Sequence, residues 1–113
     1  CVPMHKDTLR KRGYNQAELL AKECARILGI EYADLLAKTK KNKTQHSIKA
    51  AERAKNVIGV YSPIDKNLIK GKRILIIDDI ITTGSTLGEC ARILNKCKCG
   101  EICCCTLCTS LLI

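Results

Sequence analysis

The densest group of chemically useful side chains lies between Asp78 and Thr86. Two adjacent acids, Asp78 and Asp79, follow an aliphatic run, and the segment Thr82–Thr86 then combines hydroxyl side chains with a glycine. Carboxylates accept hydrogen bonds from hydroxyl groups or bind Mg²⁺, whereas hydroxyls and backbone N–H groups at a helix start suit a phosphate. Because the acids would repel a phosphate, we expect the phosphate on the turn and a hydrogen-bond donor or Mg²⁺ at the acids. A sugar phosphate meets both requirements.

The elements around this segment predict where it lies in the fold. Residues 73–78 form a continuous aliphatic run ending in Asp78, which is typical of a strand buried on both sheet faces. Residues 86–97 predict a helix, and Thr86 and Glu89 have the spacing of a capping box. That helix would bury Leu87, Cys90, Ala91 and Leu94, end at Gly100 and lead into a second apolar strand at 101–108. We therefore expect a right-handed parallel crossover, with the ligand beyond the carboxyl end of the first strand.

The remaining pattern is less regular. It predicts a helix from Asn15 to Leu28 that stops at Gly29, short strands at 33–38 and 60–64, an exposed basic loop at 39–44 and a helix at 47–57. No repeat or flexible linker divides the chain, so we expect a single domain over 1–113. The first residues, Cys1 to His5, resemble the end of a strand and its loop, and we expect that an N-terminal segment is missing.

Composition narrows the function classes. Apolar residues make up 46% and charged residues 27% of the chain, which argues against wholesale disorder. With no Trp, no Phe and three Tyr, the chain lacks the aromatic platforms of many single-strand nucleic-acid binders. There is neither a G-x-G-x-x-G nor a G-x-x-x-x-G-K-[ST] motif, and no apolar run is long enough for a membrane span.

The net charge of +9 is unevenly distributed. Residues 38–55 contain seven Lys or Arg and one acid, Glu52, and a second basic cluster comprises Lys6, Arg10, Lys11 and Arg12. Such clusters attract polyanions, which include nucleic acid, acidic lipid and phosphorylated small molecules. A solvated face without a ligand is the alternative interpretation.

The chain has nine cysteines, which is unusually many. The count is odd, and the residues from Cys97 to Cys108 do not form paired C-x-x-C ligand sets. Neighbours on a strand point to opposite faces, so they do not readily join one tetrahedral site. We therefore expect buried or scattered structural thiols in a reducing cytoplasm, with metal binding and redox chemistry as the alternatives.

Residues 74–86 closely resemble the diphosphoribosyl-binding signature of type I phosphoribosyltransferases. The pattern is four apolar residues, two acids, an apolar residue, any residue, and then Thr-Thr-Gly-any-Thr. Further segments resemble the competence-protein F family, whose members look like amidophosphoribosyltransferases and are linked to DNA uptake. These segments are Val2 to His5, Arg12 to Ala17, Gln45, Ser47, Glu52-Arg53 and Asn56-Val57. Cys103 to Cys108 depart from that family, because they fall where its members have ordinary apolar strand residues.

The resemblance implies an α/β fold with a parallel sheet, a flexible hood and a set of ligand contacts. Asp78 and Asp79 would hold the ribose hydroxyls of phosphoribosyl diphosphate, and Thr82, Thr83, Gly84, Ser85 and Thr86 would hold its 5-phosphate. The diphosphate loop and the hood would contribute Met4, His5, Arg12, Lys41, Lys43, Gln45 and Arg53. Mg²⁺ would be the cofactor, and protein side chains alone would not bind it.

The implied reaction transfers the phosphoribosyl group to a nitrogen acceptor with release of diphosphate. A non-catalytic sensor of phosphoribosyl diphosphate and a DNA-associated competence factor are the alternatives. The expected partners are therefore the donor, an unknown nitrogen acceptor, and DNA or the competence machinery, with a homodimer as the expected assembly.

Overall fold

The computed structural model describes residues 1–40 and 58–110. Their helices and strands follow one another in the order α1 (Lys6–Arg12), α2 (Gln16–Leu28), β1 (Leu36–Lys38), β2 (Tyr61–Pro63), α3 (Lys66–Ile69), β3 (Ile74–Ile81), α4 (Ser85–Lys96) and β4 (Ile102–Thr109). The chain is thus an α/β protein, as the sequence predicts.

Strands β3 and β4 pair in parallel, which confirms the predicted crossover through α4. Their register runs from Ile74 opposite Ile102 to Ile81 opposite Thr109. On the other side of β3, the backbone N–H of Val2 donates to the carbonyl oxygen of Ile77 at 3.0 Å. The first residues of the chain therefore lie beside the strand that carries the acids.

Helix α2 confirms the predicted helix and packs against β3. Its buried residues are all alanines, namely Ala17, Ala21 and Ala25. They recur every four residues, so they lie on one helix face, and their small side chains let the helix approach the sheet closely.

The main core fixes α4 on the sheet. Leu94, Cys90 and Leu87 of α4 are buried together with Ile76 of β3 and with Ile69 at the end of α3. Burying an aliphatic side chain of this size contributes about 1.5–3 kcal/mol relative to leaving it exposed. The start of α4 is therefore held in a defined place relative to the end of β3.

A second sheet is formed by β1 and β2, which pair antiparallel with Lys38 opposite Tyr61. The pairing continues one residue further, because the backbone N–H of Thr39 donates to the carbonyl oxygen of Val60 at 2.8 Å. Both strands lie within the ranges predicted from the sequence and are shorter. The predicted helix at 47–57 and most of the predicted loop at 39–44 lie outside the described residues.

The structure corrects two boundaries near the acids. Strand β3 extends to Ile81, so Asp78 and Asp79 lie within its last residues and not beyond it. Helix α4 starts one residue early, at Ser85, and Gly84 is its N-cap in the left-handed conformation with φ of 82°.

The predicted capping box is wrong. The Glu89 carboxylate instead accepts from the backbone N–H of Gly59 at 3.2 Å and forms an ion pair with Arg92 at 2.6 Å. Because Gly84 is the N-cap, Thr86 lies inside the helix and cannot be the capping residue of such a box.

The predicted helix end at Gly100 is also wrong, because α4 ends at Lys96 with Cys97 as its cap. Gly100 has a different role. A Cβ atom at this position would lie 3.3 Å from the carbonyl oxygens of Gly71 and Lys72, so the glycine permits a close approach of two backbone segments.

Two short helices, α1 and α3, were not predicted. Helix α1 buries none of its residues, and α3 is four residues long, so neither has the apolar periodicity on which the prediction depends. In the described part of the chain, no helix is long and apolar enough to cross a membrane.

Candidate functional site

A cleft of about 320 Å³ opens at the carboxyl end of β3. Asp78 and Asp79 line it together with the segment from Val2 to Met4, with Lys38 and Tyr61 of the second sheet, and with Thr86 of α4. This volume is at the lower end of the ~300–1,000 Å³ that is usual for small-ligand pockets. Because ligands of open parallel sheets bind beyond the carboxyl ends of the strands, the position of the cleft is that of a ligand site.

The two acids have different surroundings. The Asp78 carboxylate accepts from the backbone N–H of Asp79, and the Asp79 carboxylate accepts from that of Ile80, both at 2.9 Å. Burial, together with the neighbouring Asp79 carboxyl, raises the pKa of Asp78 to about 6. Asp78 is thus largely ionised at neutral pH, in surroundings that favour an incoming cation or hydrogen-bond donor.

The turn from Thr82 to Thr86 surrounds a small concavity that also includes Asp78. The N-cap residue, Gly84, has no side chain that could cap α4. The Thr83 hydroxyl accepts from the backbone N–H of Ser85 at 3.3 Å. The twelve-residue helix directs the positive end of its dipole into this turn. Uncapped N–H groups, hydroxyls and the dipole together suit an anion.

Two cationic side chains, Lys38 and Arg12, also line the cleft. The Lys38 ammonium lies 5.8 Å from the centroid of the Tyr61 ring, and burial lowers the pKa of Lys38. Arg12 is exposed, and its guanidinium donates to the side-chain oxygen of Gln16 at 3.0 Å. The cleft thus combines the carboxylates of Asp78 and Asp79 with two cationic side chains.

Tyr61 joins the second sheet to the turn. Its side chain is almost completely buried and lines the cleft together with Thr86. Burial raises the pKa of the Tyr61 phenol, which therefore remains protonated. Strand β2 packs against α4, and Tyr61 and Thr86 therefore lie at the same cleft.

The structure brings together most of the residues predicted from the sequence. Met4, Arg12, Asp78, Asp79 and Thr86 line the cleft, and Thr82, Thr83, Gly84 and Ser85 line the adjoining concavity. His5 is the N-cap of α1, where its Nδ1 atom accepts from the backbone N–H of Asp7 at 3.1 Å. Lys41, Lys43, Gln45 and Arg53 lie outside the described residues.

Sequence reasoning missed five polar residues of the cleft, namely Thr8, Asn15, Gln16, Lys38 and Tyr61. A usable signal existed for Asn15, because an asparagine directly before a helix is a typical N-cap. Lys38 was counted only within the basic stretch, and its position at the end of a short strand was the available signal.

The chemistry of the two carboxylates is compatible with a Mg²⁺ ion that a bound ligand also coordinates. Within residues 1–40 and 58–110, no group of three or more His, Cys, Asp or Glu side chains could hold a metal ion. Carboxylate oxygens are nevertheless the ligands Mg²⁺ prefers, and Mg²⁺ commonly binds through one or two carboxylates plus substrate phosphates. Asp78 and Asp79 could therefore contact a Mg²⁺ ion, directly or through its water ligands, only if a bound ligand supplied the remaining oxygens.

Comparison with known proteins relates the chain to competence proteins. It is 36% identical to competence protein F of Haemophilus influenzae over 103 residues, which cover 89% of this chain and 45% of the relative. It is 30% identical to DNA utilization protein YhgH of Escherichia coli strain K12, over 84% of this chain and 41% of the relative. Competence protein ComFC of Streptococcus pneumoniae is 33% identical, over 84% of this chain and 40% of the relative. The chain thus spans less than half the length of these relatives.

No solved structure matches the chain significantly. The phosphoribosyl transferase domain, in contrast, matches residues 15–111, a range that includes the acids and the turn and covers most of the chain. Because this domain matches most of the chain and competence protein F is among the relatives, the chain belongs to the phosphoribosyl transferase domain family, in its competence-protein F branch.

Proposed function

We propose that this chain binds phosphoribosyl diphosphate with Mg²⁺ and transfers the phosphoribosyl group to a nitrogen nucleophile. The observation that carries the proposal is that Asp78 and Asp79 line a cleft, and that the turn before α4 forms a concavity that adjoins this cleft at Asp78 and Thr86. A ligand with vicinal hydroxyls and a phosphate complements both parts at once. The family match at residues 15–111 supports the same donor.

The residues of the cleft have distinct roles in this proposal. The carboxylates of Asp78 and Asp79 accept hydrogen bonds from the ribose hydroxyls and orient C1 of the ribose. The N–H groups and hydroxyls of residues 82–86 bind the 5-phosphate. Lys38 and Arg12 attract the diphosphate, and the basic residues Lys41, Lys43 and Arg53 remain a sequence-based proposal for the same task.

In the transfer step, a bond forms between the nitrogen and C1 while the bond from C1 to the diphosphate oxygen breaks. The diphosphate leaves with the electron pair, and the nitrogen loses a proton to water. Negative charge grows on the leaving group, so cationic side chains placed there stabilise the transition state. Bound Mg²⁺ would supply further charge neutralisation on the diphosphate.

Isothermal titration with phosphoribosyl diphosphate and Mg²⁺ tests the binding step. We expect Asp79→Ala to weaken binding by about 1–3 kcal/mol, the scale of a lost hydrogen bond to a charged group. Glu101→Ala is a charge-matched control, because Glu101 is exposed and pairs only with the exposed Arg73 among the contacts described. Unchanged affinity in Asp79→Ala would remove the acids from the ligand site.

Release of diphosphate in the presence of ammonium, the simplest nitrogen nucleophile, tests the transfer step. Binding without release would favour the sensor function over the transferase.

We also propose a cytoplasmic location, because all nine cysteines are free thiols and such thiols persist in a reducing compartment.

A DNA-associated function is the second candidate, and the surface of α1 favours it. This helix buries none of its residues, and its last turn contains Arg10, Lys11 and Arg12. Two substitutions distinguish the DNA-associated function from binding of phosphoribosyl diphosphate in the cleft. A DNA surface predicts that Lys11→Ala weakens single-stranded DNA binding while Asp79→Ala leaves it unchanged, whereas the cleft predicts the reverse for phosphoribosyl diphosphate.

A further inference from the structure

Asn15 occupies a position between the cleft and the sheet that its role as a helix cap does not fully explain. Its side-chain oxygen accepts from the backbone N–H of Ala17 at 3.1 Å, which is the N-cap hydrogen bond of α2. Its side-chain nitrogen donates in addition to the carbonyl oxygen of Val2 at 3.2 Å. Asn15 is only 8% exposed, so both hydrogen bonds are shielded from water.

Val2 is thereby held by both of its backbone polar groups. Its N–H donates to Ile77, the residue directly before Asp78, and its carbonyl accepts from Asn15. The following residue, Pro3, has a fixed φ and restricts the backbone of Val2 further. The direction in which the chain leaves toward Met4 is therefore determined by Ile77 on one side and Asn15 on the other.

The segment from Val2 to Met4 lines the cleft together with Arg12 and Gln16. The start of α4 supplies an anion site elsewhere in the same cleft, beside Thr86. A ligand with phosphates at both ends would therefore direct its second phosphate group toward the described cations, Arg12 and Lys38. Because Val2–Met4 and Arg12 belong to the same N-terminal stretch of the chain, we expect the position of this segment to affect that end of the ligand more than the end bound at α4.

We propose that Asn15 is a positioning residue that holds the Val2–Met4 segment in place for the diphosphate end of the ligand. This inference rests on the proposed function, because it names the part of the same ligand that depends on Asn15. Asn15 acts through Val2, which in turn is fixed relative to Asp78 by its hydrogen bond to β3.

Asn15→Asp separates the two roles of the side chain. Aspartate is as good an N-cap as asparagine, so the hydrogen bond from the N–H of Ala17 is retained. A carboxylate cannot donate to the carbonyl of Val2, and it repels that oxygen. We expect about tenfold weaker binding of phosphoribosyl diphosphate with Mg²⁺, the scale of one lost buried hydrogen bond. Binding of ribose 5-phosphate should change less than twofold.

Asp65→Ala is the matched control. Asp65 caps α3 by accepting from the backbone N–H of Asn67 at 2.9 Å, and it does not line the cleft. This variant should lower the melting temperature without changing the affinity for either ligand. Loss of a helix cap alone is thereby excluded as the cause of a change in affinity.

Amide hydrogen exchange followed by NMR gives a readout that requires no ligand. In Asn15→Asp, we expect faster exchange at the N–H of Val2 and retained protection at the N–H of Ala17. Equal weakening for both ligands, or unchanged exchange at Val2, would overturn the inference. If the wild-type chain binds neither ligand, the proposed function fails, whereas wild-type binding with an unaffected Asn15→Asp variant refutes only the role of Asn15.

Discussion

The Asp78 carboxyl is kept in surroundings that oppose its own charge. Burial raises its pKa to about 6 from an ordinary value of 3.8, so the folded chain binds more protons than the unfolded chain between pH 4 and 6. The free energy of unfolding therefore falls as the pH rises through that window. A charge held at such a cost is typical of a residue that functions through its ionised form.

We accordingly expect Asp78→Asn to be more stable than the wild-type chain above pH 6 and equally stable near pH 4. The reason is that asparagine is never charged, so it avoids the unfavourable ionisation. Thermal unfolding at pH 4, 5, 6 and 7.5 measures the difference. Glu101→Gln serves as the control, because this exposed carboxylate should change the melting temperature little at any pH. A stability gain for Asp78→Asn that is independent of pH would contradict the burial argument.

How far the candidate site follows from the sequence depends on the distance between its residues along the chain. Asp78 and the turn that follows it are neighbours, so their pattern predicts an anion site without knowledge of the tertiary fold. Asn15, Lys38 and Tyr61 are brought to Asp78 by strand pairing and helix packing, and no local pattern encodes those contacts. The sequence can indicate that Asn15 is an N-cap, but only the tertiary structure shows that these three residues line the cleft.

At the level of the elements, the start of α4 depends on the conformation of Gly84. With φ of 82°, this residue is in the left-handed region, where a side chain costs about 1–2 kcal/mol. A Cβ atom would lie 3.8 Å from the Ile81 side chain, an ordinary contact, so the cost is conformational and not steric. We expect Gly84→Ala to lower the free energy of unfolding by that amount, and urea denaturation measures it.

Gly88 provides the matched control within the same helix. It is exposed inside α4, and an added Cβ atom would meet nothing within 4 Å. Gly88→Ala should therefore raise the free energy of unfolding by about 0.5–1 kcal/mol, because alanine favours the helix. Two substitutions of the same type, four residues apart, should thus have opposite signs. A stabilising Gly84→Ala would show that the turn does not require the left-handed conformation.

The elements of the fold were predictable where apolar residues recur regularly. Helix α2 and the unit from β3 to β4 follow from their periodicity. The capping box was wrong because Thr86 and Glu89 have the right spacing, yet Glu89 is bound to Gly59 and Arg92, a tertiary contact that the spacing does not reveal. Helix α1 was missed because it is polar and depends on caps at His5 and Gly13.

At the scale of the whole molecule, β4 contrasts with the strand beside it. Strand β3 buries Ile76 and Ile77, whereas β4 exposes most of its side chains, and Leu107 is 73% exposed. Among the described residues, β4 pairs only with β3. Because cysteine behaves as a small hydrophobe, the sequence predicts buried or scattered thiols on this strand. Its position at the edge of the described sheet leaves those thiols accessible instead.

The accessibility of the cysteines gives a prediction for the whole fold. Brief treatment of the native chain with iodoacetamide, followed by peptide mass spectrometry, should modify Cys103, Cys105 and Cys108 first, because all three are exposed. Cys104 should react more slowly, since partial burial raises the pKa of its thiol. Cys90 should react last, because it is completely buried and burial raises its pKa to about 12.

Labelling in denaturant provides the control for this order, because all nine cysteines should then react at similar rates. The order depends on β4 being open to solvent, since only the thiolate form attacks iodoacetamide and only an accessible thiolate can reach it. Protection of Cys103, Cys105 and Cys108 in the native chain would show that another surface covers β4. Protection that disappears together with one equivalent of zinc in Cys103→Ser and Cys108→Ser would instead assign these cysteines to a metal site.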